Sequence, residues 1–130
     1  MADYEFEHSV ETTASGEAVW RLWSDVERWG EWDTSVQKVT LDGPFEPGST
    51  GTMYIEGMPP LGFRLTEVSP GVGFTDETTI PGGVVRFAHR YEAGRVTHRV
   101  EIEGPGELGP MITADVPEAM EKLVRLAEKE

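Results

Sequence analysis

The second half of this chain contains two stretches in which every second side chain is apolar, aromatic or histidine. The pattern runs from Val84 to Glu103 and is interrupted once, at Ala93-Gly94. Alternation with a period of two is typical of strands that are buried on one face. Because Ala93-Gly94 suits a short turn, we expect the two stretches to form an antiparallel hairpin with one face towards the core.

The register of this hairpin follows from matching the residues on its two faces. A two- or four-residue loop centred on Ala93-Gly94 brings apolar residues together on one face and opposite charges together on the other. The predicted pairs are Tyr91 with Val96, His89 with His98, Phe87 with Val100, and Arg86 with Glu101. A slip of one residue would destroy this agreement, so we predict this register.

Further strands and turns occupy most of the remaining chain. The first segment alternates regularly and predicts a strand over 4–11. Four more strands are predicted between turns that are rich in Gly and Pro, at 36–41, 51–56, 63–68 and 74–79. With the hairpin, this makes one strand at the start and six antiparallel strands later in the chain.

Two short helices and one long helix complete the layout. Ser15 is predicted to cap the first helix, and Asp25 the second, which covers 27–32. The stretch 108–130 has helical periodicity, with Pro117 expected to kink it or to start a second segment that Asp115 caps. The order of elements predicts an α+β fold.

Composition limits the classes of protein to which the chain can belong. Its 130 residues fit a single domain over 1–130. The absence of Cys excludes disulfides, thiolate metal ligands and a cysteine nucleophile. The formal charge of −13, from 24 acidic and 11 basic residues, repels phosphate backbones, so nucleic acid is not an expected partner.

The chain shows no sign of a membrane or export segment. No apolar run approaches the roughly 18 to 20 residues that a membrane helix needs. The first residues lack the basic and apolar regions of a signal peptide. We therefore expect no membrane insertion and a cytoplasmic location.

Three segments carry a resemblance to a known family. They are Val19–Trp32 (VWRLWSDVERWGEW), Arg95–Gly104 (RVTHRVEIEG) and Asp115–Leu123 (DVPEAMEKL). Together with the order of elements, they resemble the START-like, or SRPBCC, superfamily, which includes the polyketide cyclase/dehydrase and lipid transport family and the Bet v 1 allergens. The resemblance implies a helix-grip fold: a curved seven-stranded antiparallel sheet wrapped around a long C-terminal helix, with two short helices after strand 1.

The resemblance also implies a class of function. Members bind lipids, sterols, plant hormones or polyketides in a cavity between the sheet and the C-terminal helix, and a minority catalyse cyclisation, aromatisation or dehydration. We predict binding of a hydrophobic small molecule, without a cofactor. Two alternatives stay open: a polyketide cyclase or dehydratase-like enzyme that uses a cavity histidine as acid or base, and a protein-interaction module similar to the START-like activators of chaperones.

The chain has three histidines, His8, His89 and His98. Each occurs in a predicted strand at a position that alternation assigns to the apolar face, which is called the inward parity below. In the helix-grip fold the first strand pairs with the last, so the resemblance implies three neighbouring imidazoles that face the C-terminal helix. They could bind a polar group of the ligand, transfer a proton or hold a metal. The alternative is that they fill the core and donate to carbonyl groups or to Tyr91. A metal site is least favoured, because we find no assured inward carboxylate to orient the imidazoles.

The predicted ligand contacts combine polar anchors with an apolar lining. They are His8, His89, His98 and Tyr91, together with Phe6, Tyr54, Phe63, Phe87, Met111 and Met120. The three histidines are also the candidate catalytic residues. The turns at 58–61 and 81–83 are candidate entrances, since their Gly and Pro residues leave few side chains to block a mouth.

The remaining aromatic and basic residues are interpreted as structural. Four tryptophans within 20–32 are predicted to pack the two short helices under the sheet. Arg64, Arg86, Arg90 and Arg99 lie at the outward parity, where glutamates can pair with them. Because enolate chemistry benefits from an inward cation, these positions do not favour an enzyme.

Overall fold

The computed structural model describes residues 3–130. Seven strands lie within them: β1 (Tyr4–Glu11), β2 (Val36–Leu41), β3 (Thr50–Ile55), β4 (Leu61–Ser69), β5 (Gly73–Ile80), β6 (Gly83–Glu92) and β7 (Arg95–Glu103). The α-helices are α1 (Gly16–Ser24), α2 (Trp29–Trp32), α3 (Gly109–Thr113) and α4 (Val116–Glu128). Short 3₁₀ turns cover Val26–Arg28 and Gly106–Leu108.

The strands form one antiparallel sheet in the order β1-β7-β6-β5-β4-β3-β2. Every predicted pair of the hairpin is present, including His89 opposite His98. β1 pairs with β7 and places His8 opposite His98. With α1 and α2 after β1 and α4 at the C-terminus, this arrangement confirms the predicted helix-grip fold.

A two-residue turn joins β6 to β7. Ala93 has a φ of 48° and Gly94 a φ of 78°. Two consecutive positive φ values are typical of the type I′ turn, whose twist matches that of the flanking strands. The Thr12 amide donates to the Gly94 carbonyl at 2.8 Å, so the end of β1 is tied to this turn.

The helices begin close to their predicted caps. Ser15 Oγ accepts from the Ala18 amide at 3.1 Å, and the Asp25 carboxylate accepts from the Glu27 amide at 3.2 Å. The predicted break near Pro117 is confirmed, because α3 ends before α4 begins at Val116. Asp115 occupies the N-cap position of α4, but its side chain makes no capping hydrogen bond, so the capping role predicted for it is wrong.

Buried apolar side chains form two clusters on the inner face of the sheet. The larger cluster joins the sheet to α1, α2 and α4 and includes Trp23, Trp29, Leu65, Met120 and Leu123. The smaller cluster contains Val85, Val100 and Ile102, and half-buried side chains of β1, β6, α3 and α4 pack against it. The interior is therefore divided between two apolar regions.

The outer face of the sheet carries ion pairs. Arg86 donates to Glu77 at 3.0 Å, and Arg99 donates to Glu5 at 2.7 Å. Arg64 lies 3.9 Å from the second oxygen of Glu77. These three arginines point away from the interior, as their parity predicts.

Candidate functional site

Residues at the inward parity form lateral rows across the sheet. The first, named here the histidine row, comprises His8, His98, His89 and Phe74 on β1, β7, β6 and β5. The second, named here the aspartate row, comprises Phe6, Val100, Phe87, Asp76 and Leu65 on β1, β7, β6, β5 and β4. The two rows are neighbours, because their members are two residues apart along each shared strand.

Rings in the histidine row pack directly on one another. The His89 and His98 rings have their centroids 4.5 Å apart at 78°, and His89 stacks on Phe74 at 4.0 Å and 10°. His89 Nδ1 donates to the Phe74 carbonyl at 3.3 Å. This bond places the ring proton on Nδ1 and leaves Nε2 as the acceptor nitrogen of His89.

Tryptophans from the short helices cover this row. The Trp23 ring centroid lies 5.9 Å from that of His89 and 6.0 Å from that of His98, and Trp32 lies 6.2 Å from His98. His89 and His98 are 8% and 7% exposed, whereas His8 is half-buried. The tryptophans thus pack the short helices under the sheet, as predicted, and they cover His89 and His98 at this point.

Burial keeps both inner imidazoles uncharged. It lowers the pKa of His89 to about 4. Burial also lowers the pKa of His98 well below the usual value, and the neighbouring His89 and His8 lower it further. At neutral pH the two rings can accept or donate a hydrogen bond but carry no positive charge.

Asp76 is an inward-facing carboxyl that the sequence interpretation missed. It lies in the aspartate row between Leu65 and Phe87 and is 4% exposed. No hydrogen bond or ion pair to it occurs within the described part of the chain, and burial raises its pKa to about 8. From the sequence we identified no carboxylate that faces inward, and on this point the prediction is wrong.

Four further polar atoms are buried without a hydrogen-bond partner among residues 3–130. They are Trp23 Nε1, Trp32 Nε1, Thr78 Oγ1 and His98 Nε2. Both indole rings pack near the His98 ring, and Thr78 lies two residues from Asp76 on β5. We name these four residues and Asp76 the interior polar set.

Aromatic side chains beside the interior polar set keep part of their surface exposed. Phe6 and Phe87, in the aspartate row, point inward but are only half-buried. Ile112 of α3 and Val116 of α4 pack against the same smaller cluster and are also half-buried. These four half-buried side chains therefore form an apolar group between the sheet and the α3–α4 segment.

Of three other predicted contacts, two are buried in the structure and the third, Tyr91, is half-buried. Phe63 is 3% exposed, with its ring 5.6 Å from Trp29, and Met120 of α4 is fully buried. Tyr91 donates its hydroxyl to the Ala14 carbonyl at 2.8 Å, which ties β6 to the segment before α1. The hydroxyl of Tyr91 is thus already engaged within the protein.

Two predicted lining residues lie at the surface instead. Gly51 and Met53 occupy the inward parity of β3, so Tyr54 points outward; it is 37% exposed, and Lys38 Nζ lies 5.7 Å from its ring centre. Met111 is 66% exposed, because α3 turns Gly109 and Thr113 inward. The prediction that Tyr54 and Met111 line the interior is wrong.

Two depressions open on the surface away from the interior polar set. One, of about 380 Å³, lies at the β6–β7 turn and is lined by residues such as Glu92 and Gly94. The other, of about 680 Å³, lies beside β2 and is lined by residues such as Val26 and Lys38. Neither corresponds to the cavity that the family resemblance implies.

The described residues contain neither a cluster of metal ligands nor a helix that could span a membrane. In the range 3–130, no three His, Cys, Asp or Glu side chains are grouped so that they could hold a metal ion. Across the same range, no helix has the length and apolar character needed to cross a bilayer. The longest helix, α4, has 13 residues.

Solved structures with the same architecture have little sequence in common with this chain. A protein from Nitrosomonas europaea has a TM-score of 0.77 at 14% identity, over 99% of this chain and 97% of its own. Norcoclaurine synthase from Thalictrum flavum has a TM-score of 0.75 at 13% identity, over 97% and 87%. The major latex-like protein 151 from Panax ginseng has a TM-score of 0.72 at 10% identity, over 96% and 94%. Such distant similarity supports the fold alone.

Sequence comparison identifies the family. No curated protein matches the chain. The family model described as polyketide cyclase / dehydrase and lipid transport matches residues 3–128. Because this match spans nearly the whole chain, the protein belongs to the polyketide cyclase/dehydrase and lipid transport family.

Proposed function

We propose that this protein binds a hydrophobic small molecule between the inner face of the sheet and the α3–α4 segment. The observation that carries the proposal is the interior polar set. Its four buried donor or acceptor atoms and the Asp76 carboxyl have no hydrogen-bond partner among residues 3–130. A buried polar group without a hydrogen bond costs about 1–3 kcal/mol, and native proteins satisfy nearly all such groups. A ligand with a few polar atoms would supply the partners.

The apolar part of the ligand would contact the half-buried aromatic residues. Phe6 and Phe87 lie in the same row as Asp76, so a ring system placed against them reaches the polar set. Most binding sites for small molecules combine such an apolar lining with a few convergent polar groups. Membership of a family that is described by polyketide cyclisation and lipid transport agrees with this combination.

A pair of tryptophan substitutions tests where the ligand binds. The neutral dye N-phenyl-1-naphthylamine, which fluoresces in apolar surroundings, is titrated into the purified protein. We expect saturable binding that Ile112→Trp abolishes, because the larger side chain fills the space beside the smaller cluster. Met111→Trp is the matched control on the exposed side of α3 and should bind normally.

Thermal unfolding of both variants establishes that they are folded. Equal dye binding by the two variants would contradict the proposed location. Native mass spectrometry of the purified protein is the complementary measurement, and a small molecule that co-purifies would identify the ligand directly.

A dehydrating or cyclising enzyme is the second candidate, because two interior groups have opposite pKa shifts. Asp76 has its pKa raised to about 8 and His89 has its pKa lowered to about 4, so one is an acid and the other a neutral base at pH 7. Asp76 would donate a proton to a departing hydroxyl while an imidazole accepts one from the substrate.

Incubation with a poly-β-carbonyl thioester, followed by mass spectrometry, tests this candidate. Turnover would yield a product lighter by one water. Asp76→Asn should then lose turnover and keep binding, since an amide cannot deliver a proton. Binding of the thioester without any turnover by the wild-type protein would contradict the enzyme and leave the binding proposal standing.

A further inference from the structure

We infer that Asp76 selects the ligand by donating a hydrogen bond to an uncharged oxygen, so that the site favours neutral carbonyl or ether compounds over carboxylates and ammonium ions. The inference rests on the proposed binding function and specifies the chemistry of its ligand. It follows from the surroundings of Asp76, from the absence of an inward cation in the described chain, and from the donors that surround the site.

The surroundings of Asp76 are apolar and aromatic. Its neighbours across the sheet are Leu65 and Phe87. The Trp29 ring lies 5.8 Å from Phe74 and 5.6 Å from Phe63, which occupy the rows on either side of the aspartate row. Trp29 therefore spans the row that contains Asp76. Because Asp76 is 4% exposed, an ionised carboxylate in this position would be poorly solvated and would have no counter-charge beside it in the described chain.

No positive charge faces Asp76 within residues 3–130. The nearest arginines along the strands, Arg64 and Arg86, point to the outer face and pair with Glu77. His89 and His98 are the titratable groups that face the interior from β6 and β7, and burial keeps both neutral. The third imidazole, His8, lies on β1, three strands away from Asp76. The side chains that α4 buries against the sheet are apolar. A ligand carboxylate would thus enter a site without a cation, which disfavours its binding.

The unpartnered donors require acceptor atoms on the ligand. Trp23 and Trp32 each present an indole N–H that can only donate. Thr78 and His98 can donate or accept. An ammonium group can only donate, so it would pair with an ionised Asp76 but leave both indoles unsatisfied. A ligand with two or more acceptor oxygens satisfies the whole set if Asp76 is a donor as well.

The raised pKa of Asp76 supports the donor role and predicts a pH dependence. With a pKa of about 8, the carboxyl is protonated at pH 7 and mostly ionised at pH 9. Since only the protonated form donates, the affinity for a neutral ketone should fall about tenfold between these pH values. His89 and His98 remain uncharged over this range and do not contribute.

Three probes that share one ring system test the inference. They are 1-acetonaphthone, 1-naphthoate and 1-naphthylmethylammonium, which are a neutral ketone, an anion and a cation. Isothermal titration calorimetry at pH 7 should give at least tenfold tighter binding of the ketone than of either ion. Asp76→Asn should retain most of the ketone affinity, because an amide also donates, whereas Asp76→Leu should lose at least tenfold.

A control variant and a pH series keep the test independent of folding defects. Glu67→Gln removes one carboxylate from the exposed outer side of β4 and should leave all affinities unchanged. If Asp76→Leu does not fold, the inference is tested by comparing the ketone affinity of the wild-type protein with that of Asp76→Asn between pH 7 and pH 9. The wild-type affinity for the ketone should fall, and that of Asp76→Asn should stay constant.

The outcomes separate this inference from the proposed function. Tightest binding of the ammonium probe would overturn the inference, because Asp76 would then be an anionic partner. Equal binding of all three probes, with no effect of Asp76→Leu, would also overturn it while the binding function remains. Failure of every probe to bind, with no co-purifying molecule, would overturn both.

Discussion

At the scale of single residues, burial shifts the pKa values of Asp76 and His89 in opposite directions. The pKa of Asp76 rises to about 8 and that of His89 falls to about 4, since burial favours the uncharged form of each. The interior is therefore uncharged at neutral pH although the chain has a formal charge of −13. A neutral interior with unpartnered polar atoms suits an uncharged ligand.

Asp76 should lower the stability of the free protein. Its pKa is raised from about 3.9 in the unfolded chain to about 8 in the folded protein. The folded state therefore binds more protons, and stability is lost as pH rises from about 4 to 8. Because Asp76→Asn cannot ionise, we expect it to be more stable than the wild-type protein at pH 7.5, by on the order of 4 kcal/mol.

Urea denaturation at pH 4 and pH 7.5 measures this difference. The two proteins should have similar free energies of unfolding at pH 4, because Asp76 of the unfolded chain is then still about half protonated and ionisation destabilises the fold by less than about 1 kcal/mol. Glu67→Gln, on the exposed side of β4, should show no such pH-dependent gain. Lower stability of Asp76→Asn at both pH values would mean that the carboxyl has a structural partner.

At the scale of elements, the hairpin was predictable and β5 was not. In β6 and β7, apolar and charged residues alternate, so only one register matches both faces, and that register is observed. In β5, polar residues occupy both parities from Thr75 to Thr79. The inward direction of Asp76 follows only from the pairing of β5 with β4 and β6.

The β6–β7 turn should tolerate glycine better than alanine. Ala93 has a φ of 48°, a conformation that an L-residue adopts at a cost and glycine adopts freely. We expect Ala93→Gly to raise the free energy of unfolding by about 0.5–1 kcal/mol in urea denaturation. Ala88→Gly, within β6, should lower it by a similar amount because glycine weakens a strand interior. A loss of stability in Ala93→Gly would show that the turn is not strained.

At the scale of the whole molecule, the sheet and helices meet through two apolar clusters with the interior polar set near their boundary. The histidine row was predicted from parity, register and the family resemblance, and the structure brings its three imidazoles to neighbouring strands. The tryptophans that cover two of them come from α1 and α2, far away in sequence. Phe6 and Phe87, in the neighbouring aspartate row, are only half-buried.

The order of elements, the register of the hairpin and the family can all be inferred from the amino-acid sequence. These depend on local periodicity, turn residues and neighbouring strand pairs, which a short stretch of chain already encodes. The packing of the elements was needed to show that Asp76 faces inward, that Tyr54 and Met111 do not, and that Tyr91 donates a hydrogen bond to Ala14. Exposure, charge state and unsatisfied hydrogen bonds depend on which distant elements pack together, and this packing leaves no periodic signal in the chain.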